Sequence, residues 1–298
     1  MKRLPGLVLI LALYTTPAWC QNWQLEFLTG IAGYNGDLTT GAITPQNIRP
    51  VVNANIKYRI NDYLRVRAGV AWGWLAADDK YTGDSLLIMR NLSFRTSVLE
   101  ASLCLEAALL DPNEFDAYPY VFAGVGGFRY KPWAYDYDHN KVFLRPLRTE
   151  GQGLPEYPDR KEYSLTQFCI PFGGGISFKL NARLNLAVEA GFRKLFTDHL
   201  DDVSNTYVDG HLLKETVGPK SAEMAYRGGE VGGTYDPFPP YGTPRGNPKK
   251  NDWYYFGGVK LTFNLGKITE EEKSEKKKKR EFRPEVPKDN RGRYPVSL

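Results

Sequence analysis

The residues with the most chemistry to offer lie in one stretch, Thr197-Asp198-His199-Leu200-Asp201-Asp202-Val203-Ser204. An imidazole, two hydroxyls and three carboxylates share these few positions. Two chemistries use such a set. A lipid hydrolase or acyltransferase needs Ser and His oriented by an acid, but triads are assembled in space, and closeness in sequence says little. No nucleophile-elbow pattern accompanies the stretch. A Ca²⁺ site wants about six to eight oxygens; the spacing here is not that of an EF-hand loop, and the glycine at its turn is missing. The ordinary alternative, a loop start held by Asx-type side-chain to backbone bonds, is preferred. The other two histidines, His139 and His211, fall in separate polar segments. Gly126-Gly127 and Gly173-Gly174-Gly175 lack the Lys and following helix of a phosphate loop, and glycines inside strands more often mark bends or close packing. No catalytic, cofactor-binding or metal-ligating residue is therefore assigned, and the chain is expected not to be an enzyme.

The elements that would position these residues begin after an export signal. Lys2 and Arg3 precede a short apolar core, Leu7 to Tyr14, too short to span a bilayer as a helix. Ala18 and Cys20 stand at the −3 and −1 positions of a cut before Gln21, so residues 1–20 read as a signal peptide. Cys20 also raises a lipoprotein reading, which the bulky Trp19 opposes. Cys104 and Cys169 are left in the mature chain; they read as small, semi-buried strand residues, although an oxidising compartment would let them pair.

From residue 21 to 266 the chain reads as strands. Leu64, Val66, Ala68, Val70, Trp72 and Trp74 alternate with Arg65, Arg67, Gly69, Ala71 and Gly73, which puts the two sets on opposite faces. Residues 184–193 repeat the pattern. Eight strands are expected: Trp23–Tyr34, Val51–Ile60, a third from Leu64, Ser93–Ala108, Tyr118–Tyr130, Leu165–Leu180, a seventh from Leu184, and Asp252–Leu265. An even number of tilted strands of about ten residues suits a barrel that spans a membrane. The connections alternate. Those after strands 2, 4 and 6 are short; those after strands 1, 3, 5 and 7 are long. That parity marks periplasmic turns and extracellular loops. The fold class is thus all-β, an eight-stranded antiparallel transmembrane β-barrel (OmpA-like) with long extracellular loops, both termini in the periplasm and the outer membrane as its location.

Aromatic girdles are expected at both interfaces. Trp72, Trp74, Phe94, Phe128, Tyr130, Phe168, Phe192, Phe196, Trp253 and Tyr255 fall near outer strand ends, and Trp23, Tyr58, Tyr63, Tyr118, Phe178 and Phe263 near inner ends. The inward set contains Glu26, Lys57, Arg59, Arg65, Arg67, Glu100, Glu106, Lys179, Glu189, Arg193 and Lys260. The interior of an eight-stranded barrel holds only side chains, and a buried charge must be paired. A closed, salt-bridged plug is expected, not a pore.

Residues 267–298 carry eleven Lys/Arg against seven Asp/Glu, a net +4, and read as a disordered, charged periplasmic tail. Its basic run Lys276, Lys277, Lys278, Lys279 and Arg280 is a partner-binding candidate for acidic protein surfaces or anionic inner-leaflet headgroups. Plain solubility is an equal account of it. Nucleic acid is excluded as a partner by compartment.

Several stretches carry a family resemblance: Gly33-Tyr34-Asn35-Gly36-Asp37-Leu38, Asn91-Leu92-Ser93-Phe94-Arg95, Thr149-Glu150-Gly151-Gln152-Gly153, Tyr163-Ser164-Leu165-Thr166-Gln167 running into Ile170-Pro171-Phe172-Gly173, Phe196-Thr197-Asp198 through Leu200 to Ser204, and Arg245-Gly246-Asn247-Pro248 leading to Asn251-Asp252-Trp253-Tyr254. In order and spacing, over residues 24 to 266, the chain resembles the PorG family, the outer-membrane barrel of the type IX secretion system of Bacteroidetes. The resemblance implies a non-enzymatic part in that secretion and gliding machinery. It also implies partners in outer-membrane lipid and a periplasmic ring of PorK- and PorN-like proteins. It brings no catalytic residues and no cofactor. The other class of reading is a stand-alone barrel, either an OmpA-like anchor or a lipid-modifying enzyme.

Overall fold

The structure, a computed structural model, describes residues 22–41, 43–231 and 237–266. The expected signal peptide, the charged tail and the basic run Lys276 to Arg280 lie outside the described residues. Eight long strands form in the expected places: β1 Trp23–Asn35, β2 Arg49–Arg59, β3 Leu64–Asp78, β4 Ser93–Ala108, β5 Ala117–Arg129, β6 Thr166–Lys179, β7 Leu184–Leu195 and β8 Trp253–Asn264. Each pairs antiparallel with its neighbours in sequence. β1 pairs with β8 from Gln24 opposite Asn264 to Asn35 opposite Trp253, which closes the sheet on itself. Closure leaves no barrel strand with a free edge, as hydrocarbon surroundings demand. No helix among the described residues is long and apolar enough to cross a membrane, which says nothing of strands.

Period-two alternation decides the two faces. The outward face of β4 runs Ser97, Leu99, Ala101, Leu103, Leu105, Ala107, and that of β5 runs Ala117, Pro119, Val121, Ala123, Val125, Gly127. Across all eight strands the outward positions carry no charge until the loop end of the barrel is reached. Phe27, Val125 and Phe168 expose 53%, 64% and 78% of their surface there, far more than a water-facing sheet tolerates in a row. The Tyr255 ring crosses its register partner Gly33 on this face, where any Cβ would collide with it.

The girdles need correction. Trp72, Phe168, Phe192 and Phe196 face out at the loop end, and Tyr58, Tyr63, Phe178 and Phe263 at the turn end. Phe94, Phe128, Tyr130 and Tyr118 do not: they turn into the barrel and are buried. The parity of Phe94 with inward Glu100 requires this on β4.

At the turn end, two connections are alike. The Asn61 side-chain oxygen accepts from the backbone N–H of Tyr63 and Leu64 at 2.9 and 2.8 Å, and Asn181 does the same for Arg183 and Leu184 at 2.8 and 3.1 Å. At the loop end the long connections are ordered. They contain α1 Ser85–Arg90, α2 Gly210–Thr216, α3 Pro219–Ala225 and a short hairpin, Trp133–Tyr135 with Lys141–Phe143. Their apolar residues Leu38, Leu92, Leu144, Leu200, Val203 and Met224 share one core with Tyr34, Phe94, Val98, Phe128, Tyr130, Tyr254 and Phe256 of the upper barrel. The loops therefore form a cap seated in the barrel mouth.

Candidate functional site

Two polar assemblies are buried inside this framework. The lower one fills the lumen. Lys57 from β2 reaches Glu106 at 2.8 Å and also pairs Glu26. Arg67 from β3 meets Glu189 at 2.8 Å. Lys260 from β8 meets Glu189 at 2.6 Å and Glu26 at 3.3 Å. Three cations and three carboxylates thus interlock, and the Tyr120 hydroxyl donates to Glu189 at 2.8 Å. Rings carry the flanks, with Arg67 4.2 Å over Phe122 and Lys260 4.5 Å over Tyr120. Above them Arg193 pairs with Glu100 at 3.0 Å, and Tyr254 donates to the same carboxylate at 2.7 Å. This is the salt-bridged plug expected from sequence. Three members of the inward set do not join it: Arg59, Lys179 and Arg65. Arg59 and Lys179 sit near the turn end, half-buried and exposed, and form no ion pair among the described residues. Arg65 is buried, 5.5 Å over the Tyr118 ring and donating to the Asp62 carbonyl. Cys104 and Cys169 are buried free thiols.

The upper assembly fastens the cap. Glu150 accepts from the backbone of Ser204 and Asn205 at 2.9 and 3.1 Å and from the Arg245 guanidinium at 2.9 Å. Arg245 also donates to the carbonyls of Asp202 and Ala225 at 2.7 and 3.0 Å. Asp202 accepts from the hydroxyls of Thr149 and Tyr163, each at 2.6 Å, and holds a left-handed φ of 69° to do so, a strained state for a residue other than glycine. The Tyr34 hydroxyl, near the end of β1, lies between the carboxyls of Asp201 and of Asp252 beside β8 and is hydrogen-bonded to both, and Asp252 accepts from Leu200 N–H at 2.9 Å. Arg90, closing α1, grips Asp79 at 2.8 and 2.7 Å and donates to the carbonyls of Asp37 and Arg245. Gly151, at φ 74°, turns the Glu150 segment where a side chain would strike Tyr157.

Acids outnumber bases here, and burial raises their proton affinity. Burial and the neighbouring Asp37 push Asp198 up to about 8, eased by the Ser204 hydroxyl. Burial lifts Asp202 to about 6 even against Arg245. Asp201 and Asp252 stand well above the ordinary carboxylate range, from burial first and then from neighbouring acids. Burial lowers His199, so its ring is neutral near pH 7.

The chemistry-bearing stretch therefore serves as a fastener. His199 stacks on Tyr163 at 4.8 Å, and its ring hydrogen-bonds no serine or aspartate among the described residues. The Asx reading holds in part, since Asp201 accepts from Val203 N–H at 2.9 Å. His139 sits at the tip of the short hairpin with φ 61°, and exposed His211 on α2 lies 3.5 Å from Glu215. Among the described residues no group of three or more His, Cys, Asp or Glu is arranged to hold a metal ion. Sequence reasoning missed Glu150, Arg245 and Arg90 as a set. The stretches of Glu150 and Arg245 were visible as motifs and Arg90 directly precedes another, but the contacts span up to 155 positions.

A family model described as a domain of unknown function (DUF6089) matches residues 2–212. The chain belongs to that family. No curated protein matches it. Among solved structures, Neisserial surface protein A is similar at 12% identity and a TM-score of 0.38, covering 81% of this chain and 96% of that one. Ail, the attachment invasion locus protein of Yersinia pestis, is similar at 8% identity and a TM-score of 0.35, covering 82% and 98%. The outer membrane protein OprG from Pseudomonas aeruginosa follows at 11% and 0.34, covering 82% and 97%. This member of the family folds like an outer-membrane β-barrel, as its closed sheet and uncharged outward band establish independently.

Proposed function

We propose that the chain is a non-enzymatic outer-membrane component of the type IX protein secretion and gliding machinery. In this reading the turn end and both termini face the periplasm, against a ring of PorK- and PorN-like proteins. The loop end faces outside, and outer-membrane lipid surrounds the apolar band. The observation that supports it is the filled lumen under a fastened cap. A barrel whose interior is an interlocked ionic cluster conducts nothing, so its contribution lies in what docks on its surfaces. The stretches that resemble the PorG family supply Tyr34, Glu150, Tyr163, Asp201, Asp202, Arg245 and Asp252, the residues that hold the cap, so the resemblance falls on structure-determining positions.

Two measurements test the reading together. A tagged full-length chain should recover the periplasmic ring proteins from solubilised membranes, and deletion of the gene should abolish secretion of type IX cargo. Normal cargo secretion in the deletion strain, with no ring protein recovered, rejects it and leaves a stand-alone barrel.

A further inference from the structure

Where the uncharged outward band ends on β4 and β5, the first outward charges are Arg95 and Arg129; on β7 it is Lys194. All are cations. On β3 the first is Asp78, which is paired with Lys80 at 2.8 Å. Beside Arg95 lies the short hairpin, joined to β4 by the Arg95–Trp133 register pair. Its outer surface is a ladder of alternating cations and rings. Arg95 stands 5.1 Å over Tyr135 and 5.7 Å over Trp133. Lys141 stands 4.3 Å over Trp133 and 5.1 Å over Phe143, and Lys131 3.8 Å over Phe143.

None of Arg95, Arg129, Lys131 and Lys141 has a carboxylate within salt-bridge distance among the described residues, and all four are exposed. This differs from Arg67, Arg193 and Lys260 of the lumen, each of which is ring-stacked and also holds an acid. The rings fix the cations in place, so little side-chain freedom remains to be lost on binding an anion. Their position fixes the kind of anion. Arg129 is the register partner of Leu99, which is 53% exposed in the apolar band. The ladder begins at Arg95, four residues nearer than Leu99 to the loop end of β4. Trp and Tyr are the residues that favour a membrane–water boundary.

We propose that this face binds the phosphorylated headgroup of an outer-leaflet lipid, with Arg95, Arg129, Lys131 and Lys141 around the phosphate and the lipid's chains against β3 to β5. The proposal rests on the orientation given above, with the loop end outside.

The test uses the full-length chain in detergent, titrated with lipid A, with dephosphorylated lipid A and with inorganic phosphate, and read by native mass spectrometry. Lipid A should bind at least about tenfold more tightly than its dephosphorylated form, and the triple variant Arg95→Gln/Lys131→Gln/Lys141→Gln should lose that preference. Lys161→Gln, an exposed change elsewhere, should keep it. The heat-modified gel shift of a folded barrel reports that the variants are intact. Equal binding by the triple variant, or displacement of lipid A by equimolar inorganic phosphate, overturns the proposal. Orientation is read separately. Asp138→Cys at the hairpin tip should react with an impermeant maleimide on intact cells. Labelling only after permeabilisation overturns the orientation, and the outer-leaflet lipid with it, whatever the affinity in detergent.

Discussion

The lumen and the cap are both buried and both rich in charge, yet they are stabilised differently. In the lumen Lys57, Arg67 and Lys260 face Glu26, Glu106 and Glu189, so the charge is balanced within one cluster. In the cap, Asp37, Glu150, Asp198, Asp201, Asp202 and Asp252 face Arg90 and Arg245, and Arg90 is already engaged with Asp79. The cap acids draw on tyrosine hydroxyls, backbone N–H groups and protons. Ion pairing within a rigid barrel gives a plug that depends on composition. Hydrogen bonding between loops gives a lid that depends on pH.

The largest effect should come from breaking the lumen balance. Lys260→Met leaves a net negative charge among Glu26, Glu106 and Glu189, and we predict a loss of about 3–5 kcal/mol in barrel stability, measured as a lower urea midpoint for the heat-modified gel shift. A midpoint equal to the parent's would mean that the cluster is not a mutual-compensation device. Next, Arg245→Ala should free the cap and spare the barrel. It leaves Glu150 buried with no cation, held only by the backbone N–H groups of Ser204 and Asn205 and the Asn205 side-chain amide, at a local cost of about 2–3 kcal/mol. Proteolysis within 196–252 should accelerate while the urea midpoint holds; a shift of both together would erase the distinction between the two regions.

pH separates them more finely. Asp198 keeps its proton up to about 8 in the folded cap but releases it near the ordinary aspartate value of about 3.9 when the cap is open. Between those limits the folded state holds the extra proton, so cap stability is greatest in acid and falls as pH rises through 8. Asp202 adds the same trend through about 6. Amide-exchange protection in the segment after β7, taken relative to the intrinsic exchange rate at each pH, should fall from pH 5 to pH 9, and Asp198→Asn should flatten the upper part of that curve. A cap that tightens with rising pH contradicts the assignment. The smallest effect is expected from Tyr163→Phe, which takes one hydroxyl from Asp202 for about 1–2 kcal/mol of local stability, visible as faster exchange near Thr149 with no change in the lumen.

The strands were legible because alternation is a local signal. Ser93–Ala108 is the same in sequence and in structure, and the other strand ends agree within a residue or two. The opposite charges among the inward residues announced the plug, because a barrel this narrow must neutralise them. The girdle was less legible. Phe94, Phe128 and Tyr130 stand near strand ends, but only counting parity from Glu100 or Phe122 shows that two of them point inward, and Tyr130 lies just past β5. The cap was legible as a set of motifs and not as contacts. Arg245 and Glu150 are 95 positions apart, and periodicity gives no account of which loop meets which. His199 drew attention for its neighbours in sequence, whereas its neighbour in space is the ring of Tyr163.

Tyr34 is the last residue but one of the first strand, and Asp252 precedes the last strand; the hydroxyl of one meets the carboxylate of the other and also Asp201. The bond can form only once the two ends of the chain's sheet have met. During assembly, an open intermediate would keep its outer loops unlatched, and completion of the cylinder would engage the latch from above. The state of the loops thus reports, on the loop face of the barrel, whether the seam between its first and last strands has shut.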